Sequence, residues 1–432
     1  MKKINNKLRT IYLVLLSGLF FLTSCNKDLE QFAALPTPTY PTGLGVAATI
    51  AANPNDSLFS RLIVRSGQAA TLNDLTKTFT IFAVDNAGMR LFVTAASGGL
   101  VPPGAPDAVV SGFIAGSLPA ASAAAIIQYN TVGQKFPFGN IPTTFPNYPL
   151  PSQIILDPNQ PFVRMPIFPV RGTPYSYVNT IPVTGVDQAA ANGIIHHTFS
   201  VVSPLPASPL VTLKSLVTAD ANLTYFKAAV TRADSGQVGI SGVGAFGLAF
   251  DSLMNFPVTN MTVLAPNNAA FQTLIFGLAY RGYLSTRPQP YTATDSATAL
   301  ATANGAVAAG PAFLGTNNVS TALVRGIIAY HIFASKNTGS FKPDIRVFSV
   351  NFSSAPNSFV STLVNGSVAI HPGIMAQATF TGPVVSALKF TGLGTFPPGG
   401  APFSGPAANA TSWDKMALNG VLHVIDRVLL PQ

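Results

Sequence analysis

Five histidines, fifteen acidic residues and one cysteine are the groups this chain offers for chemistry, and Glu30 is the only Glu among the acids. His196 and His197 are neighbours in a β-type run, so their side chains point to opposite faces and cannot share an ion. His331, His371 and His423 lie far apart in sequence, with no carboxylate pattern beside them. The expectation is therefore no metal site. His423 alternates with Val421 and Ile425, which reads as a buried histidine bonded to backbone. Tyr330-His331 follows the apolar run Ile327-Ile328-Ala329, and both core packing and ligand binding are open to it. The stretch Gly242-Val-Gly-Ala-Phe-Gly247 fits G-x-G-x-x-G, but Asp251 stands four residues on rather than about 20, so it reads as a flexible loop. No G-x-S-x-G elbow occurs, and one Glu near the N-terminus leaves little for paired-carboxylate glycoside hydrolysis. No catalytic residue, no cofactor and no enzyme activity are expected.

Composition bounds the elements that position these groups. Of 432 residues, 48% are hydrophobic and only 9% charged, so core material is ample and the surface must be built from Thr, Ser, Asn, Gly and Pro. Gly and Pro, 36 of each, favour turns and short strands over an all-helical bundle.

The net charge of +9 is misleading. Lys2, Lys3, Lys7 and Arg9 precede the apolar run Ile11 to Leu22, too short for the ~20 residues of a bilayer span but suited to the n- and h-regions of a signal peptide. Leu22-Thr23-Ser24-Cys25 then resembles the lipobox of bacterial lipoproteins, in which the signal is cut before a Cys that becomes lipidated. This implies residues 1–24 as signal, Cys25 as the lipidation site and 25–42 as a proline-bearing tether. Cleavage would leave 20 basic against 15 acidic residues, or +5, with no basic block, so nucleic acid is not an expected partner. A chain anchored in this way belongs to the bacterial cell envelope. Asn26-Lys27-Asp28-Leu29-Glu30 resembles lipoprotein surface-export signals and points to the outer membrane and the cell surface.

Internal repetition sets the organisation. Thr80-Ile-Phe-Ala-Val-Asp-Asn-Ala-Gly-Met89 recurs as Thr262-Val-Leu-Ala-Pro-Asn-Asn-Ala-Ala-Phe271, an offset of 182. Asn192-Gly-Ile-Ile-His196 recurs as Asn419-Gly-Val-Leu-His423, an offset of 227, so the second copy holds 45 extra residues between its boxes. Two domains follow, 43–205 and 206–432, joined at Ser203-Pro-Leu-Pro-Ala-Ser-Pro209, a linker stiff enough to hold them apart. Each opens with a helix: Asp56 or Ser57 caps one with the stripe Leu58, Phe59, Leu62 and Ile63, and Asn222 caps one with Leu223, Phe226 and Val230. Thr262 to Ala265 has strand character; Pro266 ends it, Asn267 or Asn268 caps a new helix, and Phe271 turns into the core. Asn419-Gly420 reads as a type I′ hairpin turn with both residues at φ > 0, followed by a strand from Val421 to Leu430. Residues 97–125 and 284–322 are rich in Ala, Gly, Ser, Thr and Pro and give no order of elements.

These boxes resemble the fasciclin domain, whose first box runs roughly Thr-x-Phe-Ala-Pro-Thr/Asn-Asx-x-Ala-Phe and whose closing box runs Asn-Gly-x-x-His-x-Ile-Asp-x-Val-Leu-x-Pro. The second copy matches at Thr262, Ala265, Pro266, Asn268, Ala270 and Phe271, and at Asn419, Gly420, His423, Ile425, Asp426, Val428, Leu429 and Pro431. Tyr330-His331 stands where the family has a Tyr-His pair. The first copy is degenerate, with Val84, Met89 and Phe199 at motif positions and Asn130 after Tyr129 in place of His. The resemblance implies an α+β fold: two tandem fasciclin-like domains, each a mixed β-sheet wedge with packed helices. It also implies adhesion to a protein or polysaccharide ligand, attributed in the family to the Tyr-His pair, here Tyr330 and His331. Asp426 reads as a carboxylate that fixes a turn, with a binding role as the alternative. The alternative is a glycan-binding accessory lipoprotein of a polysaccharide-uptake system, which would want exposed aromatic platforms; the chain has 30 Phe and 11 Tyr but only Trp413 as the best stacker.

Overall fold

The computed structural model describes residues 39–143, 149–206, 209–235, 249–257, 259–315, 319–337, 340–355, 358–366, 371–393 and 407–431. The expected signal peptide, Cys25, most of the tether and the Gly242–Gly247 stretch lie outside the described residues.

The first half runs α1 (Val46–Ala52), α2 (Ser57–Arg65), α3 (Ala69–Leu72), β1 (Phe79–Val84), α4 (Asn86–Ala96), α5 (Asp107–Gly116) and α6 (Ala120–Tyr129). It continues with β2 (Thr131–Val132), β3 (Leu150–Ile155), β4 (Arg164–Ile167), β5 (Pro169–Val170), β6 (Tyr177–Val178), β7 (Ile181–Ala190) and β8 (Gly193–Thr198). The second half repeats the plan: α7 (Leu213–Ala219), α8 (Thr224–Ala233), α9 (Phe250–Asn255), β9 (Met261–Pro266), α10 (Asn268–Leu284), α11 (Ala293–Ala308) and α12 (Thr321–Tyr330). Its remaining strands are β10 (Ser335–Asn337), β11 (Ser340–Lys342), β12 (Ser358–Val360), β13 (Ile374–Thr381), β14 (Val384–Thr391), β15 (Ala408–Ala417) and β16 (Gly420–Ile425).

The architecture is mixed α and β. Each half holds a parallel pair made by its opening and closing strands: Phe79 pairs with Gly193 in β1–β8, and Met261 with Gly420 in β9–β16. Antiparallel strands extend both sheets, in the orders β4-β3-β2-β1-β8-β7-β6-β5 and β12-β13-β14-β15-β16-β9. All six residues of β1, β9 and β16 are buried, so these strands lack the polar alternation of a sheet with one wet face. Ile81 packs with Ile50, Phe59, Leu62 and Ile127 on one side of the first sheet, while Phe82 packs with Tyr129, Val132 and Leu150 on the other. Val263 and Leu264 divide the second sheet in the same way, toward Phe226 and Phe271 on one face and Phe333 and Phe390 on the other.

The two stretches that composition left unordered are largely helical. Residues 97–125 contain α5 and most of α6, and the described part of 284–322 contains α11 and the start of α12. α10 spans 17 residues where α4 spans 11, and a Thr292–Asp295 capping box starts α11, so part of the extra length of the second half is a helix pair. Ala299, Ala303 and Ala306 bury the inner face of α11; in this stripe small side chains serve close helix packing rather than turns. Among the described residues no single helix is long and apolar enough to cross a membrane.

The proline linker does not hold the halves apart. Residues 42–432 form one compact unit, in which Phe168, Phe348 and Val421 share a buried cluster. Phe168 meets Phe348 edge-on at 5.7 Å, and the Arg346 guanidinium lies over the Phe168 ring at 4.5 Å. Tyr177 Oη donates to the Pro383 carbonyl at 2.9 Å. Apolar and aromatic surface on both halves decided this, and a seven-residue reading of the linker alone could not register it.

Candidate functional site

The box residues recur as a bonding frame in both halves. Asn419 is fully buried: its Oδ1 accepts from Leu213 N at 2.9 Å, and its Nδ2 donates to the Met254 and Phe256 carbonyls at 2.8 and 3.1 Å. Asn192 does the same, with Val46 N at 2.9 Å and the Leu72 and Asp74 carbonyls at 3.0 Å each. A single amide therefore caps the entry helix and clamps the segment ahead of the opening strand. The reading of Asn419-Gly420 as a type I′ turn is corrected here. The two-residue turn is Leu418–Asn419, neither Asn419 nor Gly420 has positive φ, and the strand is shorter than expected, ending at Ile425. Gly420 is needed for close approach instead, because a Cβ there would lie 2.3 Å from the Met261 carbonyl oxygen and 2.5 Å from Leu213 Cδ1.

Thr262 Oγ1 donates to the Ile345 carbonyl and accepts from Val347 N, both at 2.8 Å; Thr80 repeats this with Gln134 O and Phe136 N. Pro266 closes β9, and Asn267 caps α10 by accepting from Ala270 N at 2.9 Å. Asn268 reaches across to α8 instead, accepting from Tyr225 N at 3.1 Å and donating to the Ala221 carbonyl at 2.9 Å. Asn86 serves Leu58 N and Pro54 O in the first half. The caps expected from Asp56 and Asn222 are thus supplied by box asparagines from another helix, a tertiary contact that local spacing does not carry. Phe271, 1% exposed, stacks on Tyr225 in the core. Asp426 is exposed and clasps Asn409, accepting from its N at 2.7 Å and its Nδ2 at 3.0 Å.

Four of the five histidines hold backbone. His423 Nε2 faces the Val347 carbonyl at 2.9 Å, which can only accept, so the proton sits on Nε2 and Nδ1 accepts from Asp414 N at 3.4 Å. His196 matches it with Phe136 O and Asp187 N at 3.1 and 3.2 Å. In both, the donor is an Asp at φ 57°, nine positions before the ring. Burial holds both histidines below the usual imidazole range. His331 donates from Nδ1 to Ile327 O at 2.7 Å and accepts from Leu429 N at Nε2 at 3.0 Å; burial brings its pKa down to about 4. Among the described residues no group of three metal-ligating side chains converges.

Tyr330 and His331, the expected binding pair, are both 0% exposed. Tyr330 Oη donates to Gly373 O at 2.7 Å and accepts from Leu393 N at 2.9 Å, burial raises its pKa, and its ring meets His371 edge-on at 5.2 Å. Neither ring presents itself to a surface partner; the pair ties α12 to the C-terminal segment. Tyr330→Phe is expected to lower stability by about 1–2 kcal/mol through two lost bonds and to leave surface binding unchanged. Thermal unfolding beside a cell-binding assay checks it, and lost binding at unchanged stability would restore the pair as a contact site. The first-half Asn130 stands in for the histidine, donating from Nδ2 to Ile126 O at 2.9 Å and Val202 O at 2.8 Å. Trp413 is partly buried against the second core.

No family model matches the chain, and no curated protein matches it. Among solved structures it is similar to a FAS1 domain pair from the insect cell adhesion molecule fasciclin I, with 12% sequence identity, 88% of this chain and 98% of that chain covered, and a TM-score of 0.30.

Proposed function

We propose that this chain is a non-catalytic, fasciclin-like interaction lipoprotein, anchored through Cys25 to the bacterial outer membrane and exposed at the cell surface. It binds extracellular or cell-envelope partners, protein or polysaccharide, and not nucleic acid. One observation supports this above the rest: the box asparagines, threonines and histidines of both halves are consumed by internal backbone bonds. Groups spent in this way serve architecture, and the surfaces they hold remain to vary for recognition. The lone Cys at the end of a signal-like segment supports the anchor.

The test is Cys25→Ser, followed by metabolic labelling with a fatty-acid analogue, membrane fractionation and crosslinking on intact cells. Wild type takes the label, stays with the membrane and crosslinks to envelope material. The variant takes no label and leaves the membrane fraction. Equal labelling of both would sink the anchored reading, and a wild-type chain that crosslinks to nothing at the surface would sink the interaction reading.

A further inference from the structure

The two halves are internal controls for one another, and at one place they differ where the frame gives no reason to. The short 3-10 turn Pro54–Asp56 ahead of α2 has its twin in Ala221–Leu223 ahead of α8. In the second half, Leu223 of that turn and Val424 of β16 are buried and apolar, as a core position wants. In the first half the same two places hold Asp56 and His197, with His197 Nε2 3.0 Å from Asp56 Oδ2. Asp56 is 1% exposed. A carboxylate buried against a half-buried imidazole loses solvation that a leucine–valine pair does not, and replacing buried ion pairs by apolar residues is often neutral or stabilising. Stability alone does not account for the exchange.

The pair opens onto a cleft of about 550 Å³, within the range of small-molecule sites. Its walls come from the Asn53–Asp56 turn, the start of α4 with Asp85, Asn86 and Arg90, and the irregular part of β7 at Gly185, opposite His197. Asp56 Oδ2 is occupied, by Asn53 Nδ2 at 2.7 Å and by His197. Asp56 Oδ1 is buried and has no protein hydrogen-bond partner. A buried carboxylate oxygen in that condition calls for an O–H or N–H donor.

The other walls decide the class of donor. Arg90, paired with Asp107 at 2.5 Å, lines the cleft and opposes a cationic ligand. Asp56 and Asp85 line it too and oppose an anionic one. Asn53 and Asn86 are already bonded within the protein, to Asp56 and Asn55 N and to Pro54 O and Leu58 N, which leaves the Asn55 amide and the exposed Thr184 hydroxyl as neutral groups that both donate and accept, the pairing that a hydroxyl satisfies best. We propose that the first-half cleft binds a neutral polyhydroxylated ligand, a sugar unit, with one hydroxyl donating to Asp56 Oδ1. For where that ligand is met, on a surface glycan, this rests on the extracytoplasmic reading above; the binding itself does not.

The experiment uses the full chain purified in a detergent without a sugar head group. It is titrated calorimetrically with free neutral methyl glycosides and oligosaccharides, and applied to immobilised neutral polysaccharide; an aminated and a sulfated sugar serve as charged comparisons. The key variant is Asp56→Leu with His197→Val, the residues the second half already tolerates. Wild type is expected to bind neutral sugars, and the double variant to bind at least tenfold more weakly with its melting temperature unchanged or raised. Free glycosides binding as well as polysaccharide would mark a small-sugar site, and polysaccharide alone a glycan-chain site; both support the proposal. Should the double variant fail to fold, Arg90→Gln, which places the second half's Gln272 residue type at a partly exposed position, must weaken binding instead. No neutral sugar bound by wild type, undiminished binding by the folded variants, or preference for a charged sugar would overturn it. Unlipidated Cys25 would sink the anchored reading and leave this result standing.

Discussion

Gly420→Val is expected to destabilise the second half by about 3 kcal/mol, the upper end of ordinary overpacking and a large part of a typical 5–15 kcal/mol stability. The cause is contact with backbone. β16 runs parallel to β9 with Gly420 opposite Met261, and a Cβ would sit 2.3 Å from the Met261 carbonyl oxygen. That oxygen belongs to the backbone of the hydrogen-bonded partner strand and cannot swing away as a side-chain tip could. The first half makes the same demand at Gly193, where a Cβ would meet Phe79 O at 2.4 Å and Val46 Cγ2 at 2.7 Å. Gly193→Val should therefore cost a similar amount. Gly282→Ala is the control, since a Cβ there meets nothing within 4 Å inside α10 and gains helix propensity of up to ~1 kcal/mol. Urea unfolding of the full chain reads all three. An unchanged midpoint for Gly420→Val would mean the strand pair is not as close as described.

How legible this was from sequence differs from residue to residue. Asn-Gly marked the right hairpin, but for a reason one residue out of register: the turn is centred on Leu418–Asn419, and the glycine serves a neighbouring strand 159 positions back, at Met261. Spacing rules describe the chain to either side and cannot name a parallel partner. The apolar stripe of α2 was readable because its period is local, whereas its cap from Asn86 was not, because that bond spans 28 positions. His423 alternating with Val421 and Ile425 did announce a buried histidine. Asp56 looked like an ordinary helix cap. Its pairing with His197, 141 positions away, is visible only when the turn and the closing strand are brought together. The signal lay in the comparison of the copies, since the second has Leu223 and Val424 at the corresponding places.

Acidification is expected to weaken the fold well above the range in which its carboxylates titrate. His331 is buried and neutral, with a pKa brought down to about 4 by burial, against about 6.5 in an unfolded chain. The unfolded state therefore binds the proton first. Stability from this group is whole above pH 6.5 and is lost as pH falls toward 4, by roughly 3 kcal/mol in all. His196 and His423, lowered by burial in the same direction, add to the loss as pH falls below the usual imidazole range. Asp74 and Asp295, held below the usual range by hydrogen bonds from Thr76 and Thr292, act at lower pH. Asp234, raised by burial, opposes the trend. The first half suggests how to isolate the His331 share, because Asn130 fills the same place there with a side chain that does not titrate. At position 331 an asparagine has a donor for Ile327 O and an acceptor for Leu429 N, the two bonds the ring now makes. His331→Asn should fold with a modest loss near neutral pH, about 1 kcal/mol for the shorter reach. Between pH 6.5 and 4 its stability should then fall less steeply than that of wild type. Chemical denaturation at a series of pH values gives both curves. Parallel curves would show that His331 is not the neutral, proton-refusing group its burial implies.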